Sequence, residues 1–432
     1  MHIFFSGIGG TAIGPLAMIA HRAGYQVSGS DKQDSQYIDY LKSHGVGDLH
    51  IGQTKAAIAA VQQNRPIDWF VYSSAVAIEN QDGPELTFCR EHKIKTSKRD
   101  ELLNEILLDK KLKMIAVAGT HGKTTTTAMV IWLFKQLDVP LSYSVGAKID
   151  FGEMGEYDKN SEYFAYEADE FDRNFLSFRP HLSLISGVSY DHHEIFKSRQ
   201  DYQAAFREFI AGSGRTILWH EDYEYLKLEA PTNLMVQDSA SPLIELMKLK
   251  GRYNRLDAWL AVQAVHQLTK TPLAKLIEHI NKFPGVQRRL EQIIPNLYSD
   301  EAHTPDKIRG GLSAALETAA ENQKVIVVYE PLTNRRQHYM LTDYQDCFDG
   351  AAKVYWLPSY LAREDPNQRV IKPSEMVKHL ADPRVAEPME RGDKLKKIIQ
   401  EHLDAGDMVV GMAGGGGNSL DEWLRQEFAN QV

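Results

Sequence analysis

The chain has 432 residues, 43% hydrophobic and 25% charged, which supplies apolar material for several cores and excludes wholesale disorder or a single small binding module. Its 49 basic and 58 acidic residues leave a net charge of −9, which argues against nucleic acid or an anionic membrane as the main partner but leaves room for a locally basic pocket. Cys89 and Cys347 offer neither a disulfide framework nor a cysteine metal site, and fit a reducing cytoplasm.

The opening segment is apolar, but it lacks a basic leader and is broken by Gly7, Gly9, Gly10, Gly14 and Pro15, so a signal peptide is the weaker reading. No run approaches the roughly 18 apolar residues of a membrane span. Short apolar runs alternate with longer amphipathic stretches, the rhythm of parallel sheets, and the fold class is α/β. Ile3-Phe4-Phe5 leads into Gly7-Ile8-Gly9-Gly10-Thr11-Ala12, which satisfies G-x-G-x-x-G/A, and a second short strand ends at Asp31. Glycines there let the backbone approach a diphosphate at a helix N-terminus, while the acid accepts a hydrogen bond from a ribose hydroxyl. NAD, a UDP-sugar and a tight turn that binds nothing all remain open at this point. Trp69-Phe70-Val71 continues the series, and the charged segment Asp109-Lys110-Lys111-Leu112-Lys113 places a first boundary near residue 109.

Met114-Ile115-Ala116-Val117 then delivers Gly119-Thr120-His121-Gly122-Lys123-Thr124-Thr125-Thr126-Thr127, ahead of a helical run over 128–137. This is G-x-x-G-K-T, a phosphate loop shorter than the strict P-loop, which has a glycine where Val117 stands. Main-chain N–H groups cradle phosphates in such a loop, Lys123 reaches the β- and γ-phosphates, and the Thr124 or Thr125 hydroxyl binds Mg²⁺. Four threonines are poor helix formers, so ligation explains the run better than propensity does. Downstream, Tyr163-Phe164-Ala165-Tyr166 delivers Glu167-Ala168-Asp169-Glu170, and an apolar strand over 182–188 delivers Asp191-His192-His193-Glu194. Strand C-termini line the ligand crevice of a parallel sheet, so these carboxylates and imidazoles are expected to converge on the loop's metal, two Mg²⁺ ions offsetting the charge of ATP. A helical pattern over 254–270, Pro272 and then Phe283-Pro284-Gly285 place the second boundary near residue 285. From Val325-Ile326-Val327-Val328 to Met408-Val409-Val410 a smaller α/β unit follows, and Gly414-Gly415-Gly416-Gly417 reads as a flexible turn before a terminal helix.

Gly7-Ile8-Gly9-Gly10 with Gly29-Ser30-Asp31, the Gly119 to Thr124 loop, Glu167-Ala168-Asp169-Glu170, Asp191-His192, Gly251-Arg252-Tyr253-Asn254, Arg288-Arg289, and Asp300 with His303 and Pro305 occur in an order that resembles the Mur ligases. These are the ATP-dependent amide-forming enzymes of peptidoglycan synthesis, and the resemblance covers nearly the whole chain. His121 resembles the branch acting on UDP-N-acetylmuramate, because ligases adding later amino acids typically carry asparagine there. The resemblance implies three domains: a Rossmann-like UDP-sugar domain over 1–109, a central phosphate-loop ATPase with a parallel-rich sheet over 110–285, and a Rossmann-like domain presenting the amine over 286–432. It implies that Gly7, Gly9, Gly10, Thr11, Asp31, Ser73 and Ser74 hold the UDP-sugar, and that Gly119, Thr120, His121, Gly122, Lys123, Thr124 and Thr125 hold ATP. Asn254 would face adenine, Arg289 and Asp300 would contact the nucleotide, and Thr124, Glu167 and His192 would bind Mg²⁺. Lys123, Glu167, His192 and Arg289 form the expected catalytic set.

For the amine the resemblance implies L-alanine, with the murein tripeptide L-Ala-γ-D-Glu-meso-diaminopimelate as the alternative. His303-Thr304-Pro305 and Glu330-Pro331-Leu332-Thr333 depart from the alanine ligases, which typically have two histidines and Gln-Pro-His-Arg there; Glu330-Pro331 with Asn334, Asp191-His192 with Ile195-Phe196, and Arg289-Leu290-Glu291 resemble the ligases that attach the tripeptide, while Arg173-Asn174-Phe175-Leu176-Ser177 and Ser73-Ser74-Ala75-Val76 resemble the alanine branch. His303 and Arg336 are expected at the amine, Arg336 standing where the alanine ligases have an arginine for the amino acid carboxylate. A cytoplasmic enzyme is expected, monomer or homodimer, without nucleic acid and without membrane insertion. An NAD oxidoreductase would leave the second glycine loop without purpose, and a nucleotide-dependent switch would leave the first unexplained.

Overall fold

The computed structural model describes the chain except residues 74–75, 77–81, 193–194, 230–231, 362–363, 365–366, 416 and 430–432. Ser74, His193, Glu194 and Gly416 therefore lie outside the described residues. The chain divides into two compact units, one of Met1–Met247 with Asp257–Pro284 and the other of Lys248–Leu256 with Gly285–Val432. Among the described residues the strands form three sheets, two in the first unit and one in the second. No helix is long and apolar enough to cross a membrane, among those described.

The first sheet contains β1 (His2–Ser6), β2 (Gln26–Asp31), β3 (Leu49–Ile51), β4 (Trp69–Tyr72) and β5 (Lys95–Lys98), all parallel, in the order β3-β2-β1-β4-β5. Every residue of β1 is buried because both faces are covered. Ile3 and Phe5 point to one apolar cluster, while Phe4 joins Phe70, Ile58, Val61 and Phe88 on the other face, as strand alternation requires. The order reverses between β1 and β4, which opens a crevice beyond their carboxyl ends.

The second sheet contains β6 (Lys113–Ala118), β7 (Ser142–Ser144), β8 (Gly155–Glu156), β9 (Tyr163–Glu167), β10 (Leu182–Ile185), β11 (Thr216–Trp219) and β12 (Leu234–Gln237), in the order β12-β11-β10-β6-β9-β7-β8. Only the β7–β8 pair is antiparallel, and β6 lies at the centre with β9 and β10 on either side. One apolar cluster runs through both sheets, from Ile3, Phe5 and Leu16 through Ile106 to Met114, Phe164 and Phe175. The helix Ile13–Arg22 is buried from Ile13 to Ala20 because the second sheet covers it too: a Cβ on Gly155 of β8 would come within 2.7 Å of the Pro15 carbonyl.

Two expectations shift. The helix after the phosphate loop spans Lys123–Gln136, so it contains all four threonines, and Thr126 and Thr127 are fully buried; packing against the sheet overrides their low propensity. The strand expected over 182–188 stops at Ile185, because Gly187 takes φ +148° and turns the chain.

In the second unit β13 (Glu291–Ile294), β14 (Leu297–Asp300), β15 (Val325–Glu330), β16 (Lys353–Trp356), β17 (Ala386–Pro388) and β18 (Met408–Ala413) form one sheet in the order β13-β14-β18-β15-β16-β17, parallel apart from β13. β15 and β18 are buried throughout, and Trp356 stands at 90° to Tyr329 with ring centres 5.0 Å apart.

Candidate active site

The phosphate loop is folded by close approach between the ends of β6 and β10. Gly119 has φ +147°, and a Cβ there would lie 2.6 Å from Ser186 Oγ and 2.9 Å from the Gly187 carbonyl. The Thr120 N–H donates to Gly187 O at 2.8 Å, and its hydroxyl donates to Ser189 O at 2.7 Å and meets the Tyr202 hydroxyl at 2.8 Å. The Ser186 hydroxyl donates to His121 O at 2.5 Å, and the His121 ring occupies the space a Gly187 side chain would need. Gly122 has φ +77° and faces the Asp257 carboxylate, 2.6 Å from where its Cβ would be. Lys123 opens the helix, its Nζ donating to Gly119 O at 2.6 Å and to Glu170 Oε2 at 2.7 Å, with Asp169 Oδ1 at 3.8 Å.

The β9 end supplies the acids. The Thr124 hydroxyl donates to Glu167 Oε1 at 2.9 Å, and the Gly146 N–H donates to Glu167 Oε2 at 3.0 Å. Glu170 is fully buried; its Oε1 accepts from the Tyr202 hydroxyl at 3.3 Å and lies 3.6 Å from His192 Nε2. His192 has φ +53°, a strained conformation for a residue with a Cβ, and its ring packs edge-on against Phe171. Ligand atoms of Asp169, Glu170 and His192 lie within 4.8 Å of one another. The expected ligands thus divide into two groups. Thr124 pairs with Glu167, and His192 meets Asp169 and Glu170, which were visible in the acidic tetrad but not singled out. Thr125 is buried and bonds to neither group.

The electrostatics follow from burial. Burial alone would lower the Lys123 pKa, but Glu170, Asp169 and Glu167 outweigh it, so the ammonium is held charged well above the usual lysine range. Burial pushes the Glu167 carboxyl up against the opposing pull of Lys123, the Thr124 hydroxyl and the Gly146 N–H. For Asp169 the balance reverses: burial is overcome by Lys123, His192 and Arg99, which hold it below the ordinary aspartate value.

At the first glycine loop Gly7 has φ +82°, and the N–H groups of Gly7 and Ile8 both donate to Ser30 O, at 2.8 and 3.0 Å. The Gly9 N–H donates to Asp31 Oδ2 at 2.8 Å, so one oxygen of Asp31 already braces the loop. Gly10 closes the turn onto Gly7 O at 3.1 Å, Thr11 is exposed, and Ser73 Oγ lies 3.3 Å from where a Gly7 Cβ would be. A pocket of about 470 Å³ opens beside these strand ends, lined by Lys32, Gln53, Val76 and Glu85 among others. Glu85 is buried and accepts from Ser6 Oγ at 2.6 Å and Ser30 Oγ at 2.5 Å, and Gln53 donates to Ser6 Oγ at 2.8 Å. Of this network only Ser30 falls within a sequence motif, because its members come from four separate segments.

In the second unit Arg289 pairs with Glu301 at 2.6 Å, and Asp300 Oδ2 accepts from the Leu290 N–H at 2.7 Å. Burial, opposed by Arg289, pushes the Asp300 carboxyl up to about 6. His303 is buried against Gly414, its Nδ1 3.1 Å from Glu301 O. Arg289, Asp300 and His303 thus share one corner, whereas Arg336 lies on the separate short helix Asn334–Tyr339, its N–H bonded to the Thr333 hydroxyl. The Asn254 side-chain amide donates to Lys250 O at 2.7 Å.

Two family models match the chain: "Mur ligase family, catalytic domain" over residues 2–111 and "Mur ligase middle domain" over residues 117–237. The UDP-N-acetylmuramate–L-alanine ligases of Agathobacter rectalis and Alkaliphilus metalliredigens are 29% and 28% identical to it, each over 96% of this chain and 95% of its own length. Among solved structures, UDP-N-acetylmuramate-alanine ligase from Thermotoga maritima superposes with a TM-score of 0.75 at 24% identity, covering 100% of this chain and 99% of that one. A murein peptide ligase from Psychrobacter arcticus gives 0.69 at 22% identity, with the same coverage.

Proposed function

The chain belongs to the Mur ligase family, and from that premise we propose that it joins L-alanine to UDP-N-acetylmuramate at the expense of ATP, as an acid–amino acid ligase of peptidoglycan synthesis. The observation that carries this reading is the convergence of Lys123, Thr124, Glu167, Asp169, Glu170 and His192 at the ends of β6, β9 and β10. A carboxylate is a poor acyl donor. Its oxygen attacks the γ-phosphorus of ATP, the bond from that phosphorus to the β-phosphate bridging oxygen breaks, and ADP leaves. The amine nitrogen then attacks the acyl carbon, the C–O bond to phosphate breaks, and inorganic phosphate departs as the nitrogen loses its proton.

The residues fit these needs. N–H groups of the loop cradle the phosphates, and Lys123 supplies the fixed positive charge that the transferring phosphoryl group requires. The donors beside it are mainly carboxylate and hydroxyl oxygens, the hard ligands Mg²⁺ prefers, with the His192 imidazole the least matched of them. Mg²⁺, when bound, offsets phosphate charge and polarises the γ-phosphoryl group. Glu167 and Thr124 hold each other in place for one such ion, and Asp169, Glu170 and His192 for a second.

The first sheet, with residues 1–109, serves the UDP-sugar through Gly7, Gly9, Gly10, Thr11, Asp31 and Ser73. Residues 110–285 serve ATP, and residues 286–432 present the amine through His303 and Arg336, with Arg289, Asp300 and Asn254 on the nucleotide. Since ATP and UDP-sugars are made in the cytoplasm, the enzyme works there. Phosphate release from ATP is measured with Mg²⁺ and UDP-N-acetylmuramate, comparing L-alanine with L-Ala-γ-D-Glu-meso-diaminopimelate. Release that requires both the UDP-sugar and L-alanine is expected. Preference for the tripeptide would reassign the amine, and release independent of the UDP-sugar would overturn the ligase reading.

A further inference from the structure

Arg99 follows β5 directly and opens the helix Arg99–Asp109. Its neighbours are fastened to the segment that follows the acidic tetrad. Lys98 pairs with Asp172, Asp100 Oδ2 accepts from the Ser177 hydroxyl at 2.6 Å, and the Asn104 amide donates to Ser177 O at 2.9 Å. With positions on both sides anchored, the guanidinium of Arg99 stands in the field of Tyr166, Asp169, Asp100 and Glu167, which hold it charged.

Yet among the described residues no acceptor bonds or ion-pairs with Arg99, and its Nε is enclosed without a partner. Asp100 is no substitute, because one of its oxygens is taken by Ser177 and the other is buried unbonded. The other cation of the cluster, Lys123, is already bonded to Gly119 O and Glu170. The surrounding carboxylates keep the guanidinium charged, but its Nε is left without a hydrogen-bond partner, and its fork of donors matches a planar two-oxygen anion. Arg99 is supplied by the sheet whose glycine loop faces the sugar, and it projects toward the acids that surround the phosphate loop. An anion bonded to it would therefore belong to the sugar and lie beside the γ-phosphate.

We propose that Arg99 binds the lactyl carboxylate of UDP-N-acetylmuramate and holds it for attack on the γ-phosphorus. The proposal rests on the ligase reading above. It makes Arg99 the residue that separates sugars with a carboxylate from those without one.

The test is calorimetric binding of UDP-N-acetylmuramate and of UDP-N-acetylglucosamine, which lacks the lactyl group, to the full chain and to Arg99→Ala and Arg99→Lys. The wild type should bind the carboxylate-bearing sugar more tightly. Arg99→Ala should lose at least about tenfold in that affinity while UDP-N-acetylglucosamine binding and ATP binding stay unchanged, so that the two sugars become alike. Arg99→Lys, which keeps the charge but not the fork, should lose about three- to tenfold for UDP-N-acetylmuramate alone, and it serves if the alanine variant fails to fold. Equal weakening of both sugars, or of neither, overturns the proposal. A wild type that binds neither sugar overturns the ligase reading and the proposal together, an outcome the variants do not produce.

Discussion

Glu170 has no exposed surface, and its ammonium partner is 2.7 Å away. Lys123→Met removes that partner and leaves a buried carboxylate. Breaking a buried pair in this way costs about 3–5 kcal/mol. Because the Tyr202 hydroxyl at 3.3 Å and His192 at 3.6 Å still face the carboxylate, the lower end of about 3 kcal/mol is expected. At about 2–4 °C per kcal/mol for a unit of this size, melting should fall by roughly 6–12 °C.

The pH dependence has a definite sign. In the wild type the Lys123 pKa is raised, so its contribution is complete below the unfolded lysine value and is lost only above the folded one; it does not vary between pH 5 and 9. In the variant the Glu170 carboxylate is left buried without its ammonium partner. Adding Glu170→Gln removes the buried charge, so the double variant should regain most of the lost melting temperature at pH 7.5 while remaining at least about a hundredfold slower in phosphate release. Scanning calorimetry of the three proteins at pH 5 and 7.5 reads this directly. A single variant as stable as the wild type, or a double variant no better than the single, refutes the account of Lys123 as the charge partner of Glu170.

Gly122→Ala places a Cβ against Asp257 at φ +77°, so ATP affinity measured by calorimetry should drop at least about tenfold; unchanged affinity would mean the loop's shape does not matter. Asp222 is buried, accepts the Val188 N–H at 2.8 Å, and has its pKa pushed up to about 7 by burial against that bond. Its raised folded pKa means stability declines as pH rises from about 4 through 7, and Asp222→Asn should flatten that slope in urea unfolding curves; parallel wild-type and variant profiles would count against it. Arg336→Lys should raise the amine KM several-fold and leave that for ATP alone, because lysine cannot pair bidentately with a carboxylate; an unchanged amine KM makes Arg336 surface charge.

What the sequence made legible was whatever a short spacing encodes. Gly119, Gly122 and Lys123 form a loop between a strand and a helix because each step of that turn demands a particular residue, and the demand is local. Glu167 was legible as the first acid after an apolar strand read over Tyr163-Phe164-Ala165-Tyr166, and the strand in fact includes it as its last residue. The roles of Asp169 and Glu170 were not, because Glu170 turns inward only through Tyr202 and Lys123, which stand on other elements. Arg99 was invisible for the same reason: within Lys95-Thr96-Ser97-Lys98-Arg99-Asp100 a cation reads as solvated surface, and the contacts of Lys98 with Asp172 and of Asp100 with Ser177 lie between segments far apart in sequence. Gly187 passed unnoticed because nothing nearby announces that the ring of His121 needs its space.

The apolar cluster shared by the first two sheets has a further consequence. Ile3, Leu16 and Ile106 pack into the same mass as Met114, Phe164 and Phe175, so the two sheets should melt as one cooperative block, and backbone amides of β1 and β6 should exchange with solvent at similar rates. The loop at Gly7 and the loop at Gly119 are then two marks on a single rigid gauge. A ligand bridging them is then selected by its length, since the shared packing sets the interval between the sheets.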